Sequence, residues 1–311
     1  MGIRPAAAVR WRRIGALLLV AALAAAGAGC AEGTPQQAEP GPWQATPTPS
    51  TPSSSAPSAS PSGQATTTPE ESTAPSYSRW ELGASPLPTT TAGYGEIRPT
   101  PRQLRVRRFP TVDLLPPPAE GRFASSVGSI TPQIRKRMGE TWSPRCPVAL
   151  ADLRYVTVSF RGFDGAAHTG ELVVAASAAD DLVSVFAELF EAGYPIEEMR
   201  LPTTADLRAA PTGDGNNTAG LVCRASTGAS STWSAHAYGL AIDLNPFLNP
   251  YVKGDLVLPE LASAYLDRAR TQPGIIHADD VVVRAFARIG WSWGGAWRSA
   301  KDYQHFSATG R

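Results

Sequence analysis

The stretch STWSAHAYGLAIDLNP, residues 231–246, places a histidine, a glycine and an aspartate at offsets 0, 3 and 7 and leads them into an apolar strand. From Gly239 onward the side chains alternate, with Leu240, Ile242 and Leu244 on one face and Ala241 and Asp243 on the other. An acid on an otherwise apolar strand needs a partner, because an unpaired carboxylate is costly to bury. Gly239 lets the chain bend tightly just before the strand, and the bend can bring His236 back toward Asp243. An imidazole and a carboxylate converging on one point are half of a zinc site, since zinc takes about four ligands and catalytic sites leave one position to water.

A third ligand must come from elsewhere, and the chain has only His168, His236, His277 and His305 to offer as histidines. His168 falls in a hairpin and His277 just before a helix cap, places where a histidine is ordinarily a surface or satisfied polar residue. His305 stands in DYQHF, residues 302–306, three positions after Asp302. A hydrolytic site also needs a base, and Asp302 is the candidate.

SAHAYGLAID fits the pattern S-x-H-x-x-G-x-A-x-D and resembles the zinc motif of the D-alanyl-D-alanine carboxypeptidases and L-alanyl-D-glutamate peptidases. DYQHF resembles their second motif, an acid three positions before a histidine, and the two motifs stand in the right order about sixty residues apart. The resemblance spans roughly residues 140–311 and implies an α+β fold of the hedgehog type, a small antiparallel sheet flanked by helices. It implies Zn2+ as cofactor, held by His236, Asp243 and His305, with Asp302 as catalytic base. An arginine ahead of the first motif contacts substrate in that family, and Arg224 fits this role. Ser234 matches the motif serine and is a candidate for substrate or ligand placement; Trp233, beside it, is a candidate border of the cleft. The branch with aspartate rather than glutamate in the second motif is the L-alanyl-D-glutamate type, which Asp302 matches. Which bond of a peptidoglycan stem is cut, a terminal D-alanine or an internal bond, stays open at this level. The other class of function is a non-catalytic zinc-containing module that binds cell wall; Asp302 argues against it, because a structural site has no need of an acid beside its ligand.

Around these motifs, RYVTVSF (154–160) and GELVVAA (170–176), joined by GFDGAAHT, read as a β-hairpin. ADDLVSVFAELFEAGY places Leu182, Val185, Phe186, Leu189 and Phe190 on one helical face, with Asp180 or Asp181 as cap and Gly193 as stop. PELASAYLDRA (259–269) reads as a helix, as does ADDVVVRAFARIG, with Val282, Ala285, Phe286 and Ile289 inward. Residues 203–232, rich in Gly, Asn, Thr and Ser, read as a long loop. Trp291, Trp293 and Trp297 read as packing residues rather than a substrate groove. Cys146 and Cys223 are the two cysteines of this part, and in an exported chain such a pair forms a disulfide.

The chain opens on MGIRPAAAVRWRR, basic, followed by the short apolar run IGALLLVAALAAA and GAGC. That is an export signal, and the small residues before Cys30 resemble a lipoprotein signal, in which Cys30 is lipidated and anchors the protein on the outer face of the cytoplasmic membrane. From Thr46 to Thr68, 18 of 23 residues are Pro, Ser or Thr and none is charged, which leaves nothing to offset the entropy of ordering. Residues 31–100 therefore read as a tether, 101–139 as a connecting segment and 140–311 as the peptidase domain. RQLRVRRFP (102–110) reads as a solvated basic surface. A net charge of +1 gives no sign of a nucleic-acid partner; the expected partners are peptidoglycan stem peptides and the membrane.

Overall fold

Strand β1 (Ser125–Ser129) lies on the edge of β2 (Leu153–Arg161), which pairs along its length with β3 (Ala167–Ala175), giving an antiparallel three-stranded sheet. The β2–β3 hairpin is the one expected from its alternation, whereas β1 comes from the segment read as a connector. Helix α1 (Pro132–Met138) intervenes between β1 and β2. Helix α2 (Ala179–Glu191) buries Leu182, Val185, Phe186, Leu189 and Phe190 against this sheet, the face that the 3.6-residue period sets out. Its N-cap is Ala178, with no side-chain cap; Asp180 and Asp181 instead lie in the first turn, where negative charge suits the helix dipole.

The structure, a computed structural model, describes residues 76–229 and 231–310. The export segment, Cys30 and the Pro/Ser/Thr-rich stretch lie outside the described residues. Among the described residues no helix is long and apolar enough to cross a membrane.

After α2 come β4 (Glu198–Met199), the short helix α3 (Thr204–Arg208) and β5 (Asn217–Thr218), with β4 and β5 paired in parallel. The long loop expected over 203–232 is thus interrupted. Thr203 and Asp206 close a capping box that starts α3, a signal present in the sequence as T-x-x-D. Two further small sheets follow. In one, β6 (Ala241–Asp243) and β9 (Ser292–Trp293) flank β11 (His305–Ser307); in the other, β8 (Leu256–Leu258) and β10 (Lys301–Asp302) flank β7 (Tyr251–Lys253). Helix α4 (Val281–Arg288) starts at Asp280, whose carboxylate accepts the Val282 and Val283 N–H groups. Phe286 of α4 stacks on Phe306 of β11 at 4.1 Å, both fully buried, which fixes β11 against the main core. These small antiparallel sheets flanked by helices agree with the α+β class.

Two expectations need correction. The folded unit begins well before residue 140: residues 76–100, read as tether, and 101–139, read as connector, pack into it. Leu87 and Leu104 are buried with Phe247, Leu261 and Tyr265 in a second core. Arg107, read as part of a solvated basic surface, is buried between the Phe109 and Phe247 rings, its guanidinium carbon 5.0 and 4.5 Å from their centroids. It makes a two-pronged pair with buried Glu197, Nε to Oε2 at 2.8 Å and Nη2 to Oε1 at 2.6 Å. A buried carboxylate demands such a partner, and no local pattern says which of several arginines will serve. The helix expected over 259–269 is only a 3-10 turn, Ser263–Leu266. Tertiary bonds take its place: Ala264 N–H donates to Thr100 Oγ1 at 2.8 Å, and the Tyr265 hydroxyl donates to the Leu104 carbonyl while accepting the Arg107 N–H.

Candidate metal centre

The first ligand segment is a 3-10 turn, Ala235–Tyr238, capped by Ser234, whose hydroxyl oxygen accepts the His236 N–H at 3.3 Å. Ser234 is buried, so it places the ligand turn rather than reaching outward. Gly239 ends the turn at φ +69°, and a Cβ there would lie 2.5 Å from the Ala175 N atom of β3. Only glycine combines that left-handed backbone with so close an approach. The reversal carries the chain into β6, with Asp243 at its end. Asp243 is the cross-strand partner of His305 in the β6–β11 ladder, so their side chains project to one face. The bend inferred at Gly239 does bring His236 to the same point.

Three donors converge there. His236 Nε2 lies 3.2 Å from His305 Nδ1; His305 Nδ1 lies 3.0 Å from Asp243 Oδ1; and His236 Nε2 lies 3.1 Å from Asp243 Oδ2. Metal–ligand bonds of about 2.0–2.1 Å in a tetrahedron put neighbouring ligand atoms about 3.3 Å apart, so the triangle has the size that one zinc ion requires. Among the described residues, these three form the group able to hold a metal. His236 Nδ1 lies 2.7 Å from the Gly220 carbonyl. A carbonyl only accepts, so Nδ1 carries the proton and Nε2 presents its lone pair to the site. Burial works to raise the Asp243 carboxyl, but His236 and His305 outweigh it and hold Asp243 well below the usual carboxylate range. It is therefore ionised and ready to bind a cation.

Asp302 belongs to the neighbouring sheet, opposite Tyr251 in the β7–β10 pair. Two residues, Tyr303 and Gln304, carry the chain across to His305, and the Gln304 carbonyl accepts the Leu244 N–H just past β6. Gly294 presses on this crossing: a Cβ there would lie 2.6 Å from the Asp302 carbonyl oxygen and 3.2 Å from His305 Cβ. Asp302 Oδ1 has no access to solvent and no protein hydrogen-bond partner among the described residues. Burial, then the Asp243 charge, push its carboxyl up to about 7, against the pull of His305. A carboxyl so poised beside a metal triangle suits proton transfer near neutral pH.

Asp243 and Asp302 open onto a cleft of about 300 Å3 that is also lined by Arg224, Tyr251, Glu260 and Gln304. Arg224 is exposed, with Nη1 donating to the Ala225 carbonyl at 3.2 Å and to Thr227 Oγ1 at 3.4 Å. Cys223, next to it, is bonded to Cys146. Trp233 is exposed and bridges to Ala225 in the same loop, but it does not line this cleft. His168 is a satisfied polar residue, held between Asp113 at 2.8 Å and Asp164 at 3.1 Å; His277 is half-buried and outside the metal triangle. Trp291 packs in the core as expected, whereas the Trp297 ring lies 5.4 Å from that of His305 and walls the metal site. Sequence reasoning missed Gly220, Gly294 and Tyr251. The first two act through a carbonyl and a missing side chain, and only the glycine identity of Gly294 in WSWGGAW hinted at close packing.

Residues 227–308 match the family model described as D-alanyl-D-alanine carboxypeptidase. The resemblance read from the two motifs thus holds over a segment that contains His236, Asp243, Asp302 and His305, shorter than the 140–311 expected, and Arg224 falls just ahead of it. No curated protein and no solved structure matches the chain.

Proposed function

We propose that this chain is a zinc-dependent peptidase acting on the peptide stems of bacterial peptidoglycan. The observation that carries the reading is the convergence of His236 Nε2, His305 Nδ1 and the Asp243 carboxylate at 3.0 to 3.2 Å, with Asp302 in the same cleft. Zinc held by that triangle supplies a Lewis acid and a water acidified to a pKa near ~7. Asp302 takes the proton of the attacking water and returns it to the leaving amine, the role for which its raised carboxyl pKa suits it. Arg224, positively charged at the cleft, offsets the negative charge that develops on the attacked carbonyl or holds a substrate carboxylate. The Gly220 carbonyl keeps His236 in the one tautomer that binds metal.

The address belongs to the same proposal. An export signal, Cys30 as lipid anchor and a Pro/Ser/Thr-rich tether place the folded unit within reach of the wall, on the outer face of the cytoplasmic membrane. The test is to incubate the purified protein with muropeptides, with and without chelator, and identify products by mass spectrometry. Loss of one terminal D-alanine assigns a carboxypeptidase; cleavage after the first L-alanine assigns an endopeptidase; either activity should vanish with chelator and return with zinc. Zinc bound without product from any stem refutes the enzymatic reading and leaves a wall-binding module.

A further inference from the structure

Three residues of the cleft lie in one row across the sheet that holds Asp302. Tyr251, in the central strand β7, stands opposite Asp302 of β10 on one side and Leu258 of β8 on the other, and direct cross-strand partners project to one face. All three line the cleft. Neighbouring strands lie about 4.8 Å apart, so the row runs for ~10 Å from Asp302 to Leu258. That span equals about three residues of extended peptide, or fewer where a long side chain follows it. Past Asp302 the row is apolar except for the Tyr251 hydroxyl, and Gly213 and Gly215 contribute a wall that carries no side chains.

Glu260 stands at the Leu258 end of this row, two residues further along the chain, and lines the same cleft. It is buried, and Oε1 accepts the Gly95 N–H at 2.7 Å. Its main-chain carbonyl accepts the Arg98 N–H at 3.3 Å, and a Cβ on Gly213 would lie 3.1 Å from its own Cβ. The residue is therefore held firmly by one oxygen and by its backbone. Oε2 has no hydrogen bond or ion pair among the described residues and, unlike Asp302 Oδ1, is not sealed from solvent. Arg224, the cation that lines the cleft, spends its bonds on Ala225 and Thr227 instead. One carboxyl oxygen of Glu260 is thus committed to the fold, and the other is left for a donor that enters the cleft.

We propose that Glu260 is a specificity-determining residue of the cleft, and that it selects peptides carrying a free ammonium group, which Oε2 accepts at the Leu258 end of the row. The inference rests on the peptidase reading and deepens it by naming the charge that the substrate must carry. An ammonium suits the place better than a neutral N–H, because a charge-assisted hydrogen bond is about twice as strong as a neutral one. The apolar row suits it too, since the methylenes of a long amine side chain can lie along Tyr251 and Leu258 while the charged head reaches the acid.

The full chain, zinc-loaded, should be assayed on synthetic stem peptides of three to five residues that contain one lysine, each in three forms: unmodified, acetylated at the lysine Nζ, and acetylated at the N-terminus. Wild type should lose about tenfold in kcat/KM, through KM, on one of the two acetylations, the loss of one charged hydrogen bond. Which acetylation does so tells whether the cation sits on a side chain or at the terminus. Glu260→Gln keeps an oxygen for the Gly95 N–H but removes the charge, so it should abolish that preference while zinc content stays the same. Equal turnover of all three forms by wild type overturns the proposal, and so does a preference that Glu260→Gln retains. Should Glu260→Gln not fold, Leu258→Lys, which sets an ammonium of the protein beside Glu260, should abolish the preference in its place, and a preference kept there overturns the proposal. If the wild-type chain cuts none of the peptides, the peptidase reading fails, and calorimetric binding of the same three forms decides this inference separately. Binding about tenfold weaker for one acetylated form in wild type, but not in the variant, then supports it; equal affinities, or no binding to wild type, overturn it.

Discussion

Replacing both Cys146 and Cys223 with serine opens the largest covalent loop in the fold, and its consequence can be worked out. The bond joins residues 77 apart in sequence. Closing a loop of that length removes denatured-state entropy equivalent to about 4.5 kcal/mol, a large share of the ~5–15 kcal/mol that holds a typical domain folded. The loss should be read by urea unfolding at equilibrium, where the double variant should be about 4 kcal/mol less stable and show a larger m-value, because the opened chain exposes more surface. The metal triangle should survive at low denaturant. Leu221 N–H still donates to the Val173 carbonyl and Cys223 N–H to the Thr141 carbonyl, bonds that fix the Gly220 carbonyl behind His236 without the sulfurs. Zinc affinity of the folded variant should therefore stay within tenfold of wild type, while turnover falls with the loosened loop that carries Arg224. A stability loss under about 1 kcal/mol with an unchanged m-value would refute the entropic reasoning; loss of zinc from a folded variant would refute the claim that hydrogen bonds alone hold the site.

Glu197→Ala should cost about 3–5 kcal/mol by leaving the Arg107 guanidinium buried without its partner, which urea unfolding will show; a cost near zero would mean that the fold does not depend on this pair. Gly294→Ala should displace the Asp302–His305 crossing, because the new Cβ falls 2.6 Å from the Asp302 carbonyl oxygen; zinc affinity, measured by chelator competition, should drop more than stability does. In chelator-treated protein Asp302 sets a pH dependence. Its folded pKa, about 7, lies above the unfolded value of about 3.9, so its contribution is fully present below about pH 4 and is lost as pH rises through about 7. The melting temperature of the wild type relative to Asp302→Asn should accordingly fall between pH 4 and pH 8, and a difference that is flat with pH would count against the burial of this carboxyl. The same variant, loaded with zinc, should keep the metal and lose at least about a hundredfold in turnover.

The elements that could be read in the sequence are those whose cause is local. The apolar face of α2, the Asp280 cap of α4 and the β2–β3 hairpin each follow from periodicity or turn chemistry within a dozen residues. The metal triangle was legible for a different reason: Gly239 allows a bend that can bring His236 back toward Asp243, and the resemblance to the two motifs implied His236, Asp243 and His305 together as the ligands. Residues 259–269 failed because Thr100, more than 150 residues away in sequence, claims backbone groups that a helix would have used for itself: its hydroxyl donates to the Leu261 carbonyl and accepts the Ala264 N–H.

The N-terminal strap, residues 76–100, shows why composition misleads at a boundary. Residues 76–100 share the prolines and threonines of the tether before them, and nothing local marks them as ordered. Their order comes from Asp214 and Glu260, buried in the body, whose carboxyl oxygens need hydrogen-bond donors, and the strap brings three: the Trp80 indole and the Gly83 and Gly95 amides. Both acids sit in or beside the glycine-bearing wall of the cleft, so the same bonds that order the strap also stiffen the surface on which a substrate must lie. Fold and site are joined at this wall, and removing residues before Gly95 should loosen the cleft even though no metal ligand lies among them.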